Sequence, residues 1–291
     1  MEPKPLAPNQ GWHGQAHLVY ARQAEKTVLV KGFTQAPLKL QKPLYLEGPA
    51  VCQTVLVHTA GGMVGGDRLT VQVHLQPDSR GLVTTAAAHK IYGSQAAAGQ
   101  APAPLRGAEQ RVEIHLASGS CLEWLPQETI LFNGANYDQH LRVALPPGAI
   151  WCGWEVTRFG RSARGERFDQ GQWRSHLEVW QGDRPLWLDR QSLTGGSAAL
   201  DSPNGLGGQA VVGSFALVGF LPATDLVNEL RELWEAAWPG EGGVTRLQTG
   251  LLCRYRGPSS EVARRWFVSL WGHLRPFYLG RVAMPSRVWP T

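Results

Sequence analysis

The chain has 291 residues and a formal net charge of +5, with 43% hydrophobic and 18% charged residues. That balance excludes gross disorder and leaves enough apolar side chain for a substantial core. No apolar run approaches the 18 or more residues of a membrane-spanning helix. The polar, proline-rich start MEPKPLAPNQGWHGQ lacks the apolar centre of a signal peptide. Cys52, Cys121, Cys152 and Cys253 are too scattered for a disulfide framework or a zinc site. The expectation is a cytoplasmic protein with no membrane association.

Residues 1–10 read as a flexible tail and 11–291 as a single β-rich domain. The 34 glycines and 20 prolines exceed average usage and point to many turns between short strands. LTVQVHL at 69–75 alternates cleanly, with Leu69, Val71, Val73 and Leu75 on one face and Thr70, Gln72 and His74 on the other. RVEIHL at 111–116 and LRVAL at 141–145 do the same. Further strands are expected at 54–58, 82–85, 121–125, 151–158, 174–180 and 210–218. Turns fall at Pro77-Asp78, Ser118-Gly119, Pro146-Pro147-Gly148 and Gly182-Asp183. The Ala/Gly/Pro-rich stretch 94–108 reads as a long mobile loop, and 195–208 as a second, glycine-rich one.

The last quarter changes character. Thr224 is placed to cap a helix over 225–238 with a stripe of Leu226, Leu230, Leu233, Trp234 and Ala237, stopped by Pro239-Gly240. A strand follows at 245–255. Ser259 then caps a helix over 260–275, with Val262, Trp266, Leu270 and Leu274 as its buried stripe, and Pro276 is expected to end it. The fold class is therefore mainly β: a large multi-stranded stacked or rolled sheet with two helices near the C-terminus.

The glycine run HTAGGMVGGDR at 58–68 invites a nucleotide-binding reading, but no Lys-Ser/Thr follows it and its sequel is an alternating strand, not a helix. Paired glycines in a tight bend, with Asp67 bonding the bend's amides, is the better reading. The nine histidines show no spacing of a tight metal site, and no GxSxG or HExxH occurs. Residues 254–287 hold seven arginines against Glu261 alone, which could attract an acidic protein surface or a nucleic-acid backbone. The 158–190 region mixes seven arginines with five acids and reads as local ion pairs. A β-rich carbohydrate-active enzyme with paired carboxylates and a basic nucleic-acid binder are the alternative readings.

Four segments together resemble one family: HTAGGMVGGDRL at 58–69, TTAAAHKIYGS at 84–94, LEWLPQETILFNGA at 122–135 and GRSARGERFDQG at 160–171, with PSRVWPT at the end. In that order they are similar to the UreD (UreH) family of urease accessory proteins. The chain departs from the family pattern at Thr59-Ala60, where Pro is usual, at Gly93, and at His89. The resemblance implies a largely β fold, no enzymatic activity of its own, and membership of a hetero-oligomer with UreF, the GTPase UreG and urease apoprotein subunits. It also implies assistance in delivering Ni²⁺ to the urease active site, and no nucleic-acid partner. No tightly bound cofactor is expected; Ni²⁺ would pass transiently along weak oxygen donors. Asp67, Thr84, Thr85, Glu128 and Glu166 are the expected residues of that path, Glu166 foremost. Arg264, Arg265 and Trp266 are the expected partner contacts.

Overall fold

The computed structural model describes residues 11–93, 107–161 and 164–289. The expected N-terminal tail and nearly all of the 94–108 loop lie outside them. The first strands in chain order are β1 (His13–Gln23), β2 (Lys26–Gln35), β3 (Leu38–Leu40), β4 (Cys52–His58), β5 (Arg68–Leu75), β6 (Arg80–Thr85), β7 (His89–Ile91), β8 (Ala108–Leu116) and β9 (Cys121–Trp124). They are followed by β10 (Thr129–Leu131), β11 (Asn136–Ala144), β12 (Ile150–Phe159), β13 (Gln172–Gln181), β14 (Arg184–Thr194) and β15 (Val211–Val218). Helix α1 (Thr224–Glu232), the hairpin β16 (Glu241–Arg246) and β17 (Gly250–Gly257), and helix α2 (Ser260–Leu279) complete the order.

Two sheets stack face to face. The first has the order β14–β13–β11–β8–β5–β1–β2, and the second contains the path β16–β17–β15–β12–β9–β6–β4–β3. Between β4 and β13 the chain winds alternately from one to the other: β4, β6, β9 and β12 go to the second sheet, and β5, β8, β11 and β13 to the first. Each strand pairs in parallel with the strand one turn earlier. The winding has a short-turn end, at 76–79, 117–120 and 145–149, and a long-loop end. Asp78, Gly119 and Gly148 all adopt positive φ at the short end, where the sequence placed turns.

A coil of this kind buries one face of every strand. Leu69, Val71, Val73 and Leu75 enter the inter-sheet core as their alternation required. β12 has apolar residues on both faces because it is covered twice. Trp151 and Phe159 belong to the inter-sheet core, while Cys152, Trp154 and Val156 belong to a second core beneath the helices. There α2 lays Trp266, Phe267, Leu270 and Trp271 against the outer face of the second sheet.

The C-terminal elements correct several expectations. Helix α1 ends six residues early and its cap position is Ala223, without a side-chain bond; Thr224 is inside the helix and Ala237 is exposed beyond it. The strand expected at 245–255 is a hairpin of two. The long strands β1, β2 and β14 fall outside the individual strand spans expected from the pattern. Ser259 does cap α2, its Oγ accepting from the Val262 amide at 3.3 Å. Pro276, however, lies inside the helix, which runs on to a left-handed Gly280. Proline there forfeits one backbone bond, but Arg275, Tyr278 and Leu279 around it are buried, and that packing outweighs local preference.

Candidate functional site: the long-loop end and the interior behind it

The four sequence segments that stand out are successive turns of one coil, and they meet at its long-loop end. Each contributes one residue to a buried column. Met63 bridges Ile91, Ile91 pairs with Leu131, and Leu131 with Phe159. Phe168 packs on Phe159 at 5.7 Å. The glycines let these loops approach: a Cβ on Gly62 would meet the Tyr92 ring at 2.5 Å, and one on Gly93 the Asn133 carbonyl oxygen at 2.1 Å. Asp67 does bind its own bend, accepting from the amides of Trp12 at 2.8 Å and Val64 at 2.9 Å.

Behind this end, a cavity of about 180 Å³ opens between the sheets. His58, Thr85, His89 and Gln127 line its outer part, and Gln110, Gln139 and Glu155 its inner part. A polar seam continues from there. Gln110, Gln139, Ser175 and Gln191 are direct register partners across β8, β11, β13 and β14. Facing them, Glu155, Ser214 and Arg254 are register partners across β12, β15 and β17. Ser175 Oγ donates to Glu155 at 3.4 Å, Ser214 Oγ to Asp189 at 3.4 Å, and Arg254 pairs with Asp189 at 2.9 Å. A small void lined by Glu155, Ser175, Gln191 and Ser214 lies next in line, and then an open groove lined by Gln191 and Arg254. A cavity, a void of about 10 Å³ and an open groove thus lie along one polar seam, where apolar side chains would be the rule.

Burial pushes the Glu155 carboxyl up to about 8, aided by the negative charge of Asp189 and opposed by hydrogen bonds with Gln139 and Ser175. It is therefore largely protonated at neutral pH. Burial likewise holds His89 down at about 3 and depresses His58, against the charge of Asp67.

Of the residues expected from sequence to face a path, only Thr85 lines the cavity. Thr84 is occupied, donating to the Leu125 carbonyl at 2.6 Å and accepting from Trp289 at 2.9 Å. Glu128 sits 3.5 Å from Arg264. Glu166 is clamped by Arg161 and by the Asn133 amide. Its own burial raises its pKa, and those bonds reverse the shift and lower it. Asp67 and Glu166 thus hold the loops around the mouth. Trp266 is wholly buried in the helix–sheet core, so its expected contact with a partner is corrected. Arg265 is exposed, whereas Arg264 is half-buried against Gln127 and Glu128. The C-terminal positive charge is also smaller than its count suggests: Arg254, Arg256, Arg264, Arg265 and Arg275 each pair with an acid. Glu155, Gln110, Gln139 and Ser175 were missed. A lone acid in the apolar run IWCGWEVTRF was the one available signal.

The loop motifs are thus gathered at one end of a β coil, with a polar seam behind them. Residues 13–290 match the family model described as UreD urease accessory protein. The chain is 53% identical to the urease accessory protein UreD of Acaryochloris marina, over 96% of this chain and 95% of that one. It is 52% identical to UreD of a Nostoc species, over 97% of each, and 39% identical to UreD of Pseudomonas fluorescens, over 96% and 95%. The chain belongs to the UreD family of urease accessory proteins.

Proposed function

We propose that this chain is a non-catalytic urease maturation factor that, bound to UreF, recruits the GTPase UreG to apo-urease and lets Ni²⁺ pass through its own interior. The observation that carries the passage is the polar seam along which a cavity, a small void and an open groove share Glu155, Gln191 and their neighbours as lining. Burying polar groups costs stability wherever their hydrogen bonds are incomplete, and a bound guest would supply the missing partners. The donors are carboxyl, amide and hydroxyl oxygens, a hard and weakly holding set for a late transition cation, which suits release over storage. A protonated Glu155 would give up its proton as a cation arrives. Half-exposed Trp12 and Val64 beside Asp67 give the mouth an apolar rim on which a partner can seat, and Arg265 offers a charged contact on α2.

The test is urease activation with Glu155→Ala in cells supplying the other accessory proteins, with co-purification confirming that the complex still assembles. Activation should fall at least tenfold at limiting nickel while assembly persists. Full activation would remove the interior route. Arg265→Glu should weaken co-purification without altering the fold.

A further inference from the structure

We infer that His58 and His89 together form a two-imidazole site for a divalent transition-metal cation at the mouth of the inter-sheet cavity. The inference rests on the conduit reading above and places the first stop on that route.

Both rings line the cavity. Their centroids are 5.4 Å apart and their planes 85° from one another. Two imidazoles sharing one ion through metal–nitrogen bonds of about 2.0–2.1 Å bring their centroids to about 4.5–5.2 Å at bond angles of about 90–110°. The observed 5.4 Å lies just outside that range, so the rings must close by a few tenths of an ångström to share an ion. On the outer sheet face the stacked pair His74 and His115, 4.8 Å apart and 5° from parallel, keeps its ring planes side by side; His140 and His176 are edge-on at 4.9 Å and 84°, but line an open groove with the cations Arg111 and Arg174.

His89 Nε2 is buried without a hydrogen-bond partner among the described residues. An orphaned ring nitrogen of this kind carries a desolvation cost with no return from the fold alone. Burial keeps both rings neutral at neutral pH, so their lone pairs are free to bind. The charge of Asp67 reaches His58 and favours a cation there. Both side chains stand on ordered strands: His58 closes β4, and the His89 amide donates to the Glu128 carbonyl at 2.8 Å. Among the described residues no cluster of three or more His, Cys, Asp or Glu is placed to hold an ion, so water would complete the shell. Two nitrogens and water bind a nickel-like ion reversibly.

The experiment is calorimetric titration of the full-length chain with Ni²⁺ alone, for wild type, His58→Ala, His89→Asn and the double variant, each checked by thermal melting. Crystals soaked in NiCl₂ and measured at the nickel edge locate the ions. Either single variant should lower the stoichiometry by one site, and the double variant should lose no more than either. An anomalous peak should lie within bonding distance of both rings. Half-buried His58 gives a variant that keeps its fold even if the His89 replacement does not. Unchanged stoichiometry in His58→Ala, or anomalous density confined to the histidines of the outer sheet face, would overturn the site. Because the titration involves no urease, that failure is separate from a failure of the conduit, which the Glu155 activation assay reads.

Discussion

Glu123 and Glu155 stand on neighbouring strands of the second sheet, on opposite faces, and their surroundings could hardly differ more. Glu123 points under α2. It accepts from Trp271 Nε1 at 2.6 Å, Tyr278 Oη at 2.5 Å and Arg275 at 2.9 and 3.0 Å, and Glu47 closes the other side of Arg275 at 2.7 Å. Glu155 points between the sheets, is met only by the neutral side chains of Gln139 and Ser175 with no cation beside it among the described residues, and borders two voids. The first carboxylate is saturated with donors and fixes a helix to a sheet. The second has neutral partners and no counter-charge beside empty space, the condition under which a proton or a cation can come and go. What an acid set away from solvent can do therefore depends on the donors and charges around it.

The contrast can be broken most severely at its closed end. Arg275→Ala leaves two carboxylates buried without their cation and should cost about 3–5 kcal/mol, seen as a large drop in the denaturant midpoint or as insoluble expression. Glu155→Gln probes the open end through pH. Between pH 4.5 and about 8 the folded chain holds a proton that the unfolded chain has released, so this group's contribution to stability falls as pH rises through that window. Chemical melts from pH 5 to 9 should show that slope in wild type and lose it in Glu155→Gln, which becomes the more stable of the two at pH 8–9. An identical slope in both would show that Glu155 ionises normally. Trp271→Phe removes one of Glu123's donors while keeping an aromatic ring, and should cost about 1–3 kcal/mol. Ser259→Ala, which touches neither acid, removes the α2 cap for about 1 kcal/mol. Phe277→Ser, at an exposed site, should stay within about 0.5 kcal/mol, a baseline for the rest.

Much of the sheet framework could be read from period-two runs such as LTVQVHL, because β5 has one face in the core and one in solvent. The inner half of the site could not be read. β12 is covered on both sides, so the alternation that would have sent Glu155 inward is hidden among apolar neighbours. The rung Gln110–Gln139–Ser175–Gln191 unites four strands through pairings across tens of residues, and no local pattern records that register. Local signals also favoured Thr224 as a cap and Pro276 as a stop, and tertiary packing overrode both. The bend reading of HTAGGMVGGDR holds because it concerned three residues' reach: Asp67 and the amide it meets at Val64.

The winding between β4 and β13 has a consequence for how such a chain can change length. A residue gained or lost in a long loop alters the rim alone. Removing one full circuit would delete a strand from each sheet at once, together with one segment of the rim, one member of the Met63–Ile91–Leu131–Phe159 column and one residue of the polar rung. The coil thus ties the length of the polar seam to the number of its circuits, so variation among such chains should accumulate in the loops and spare the count of turns.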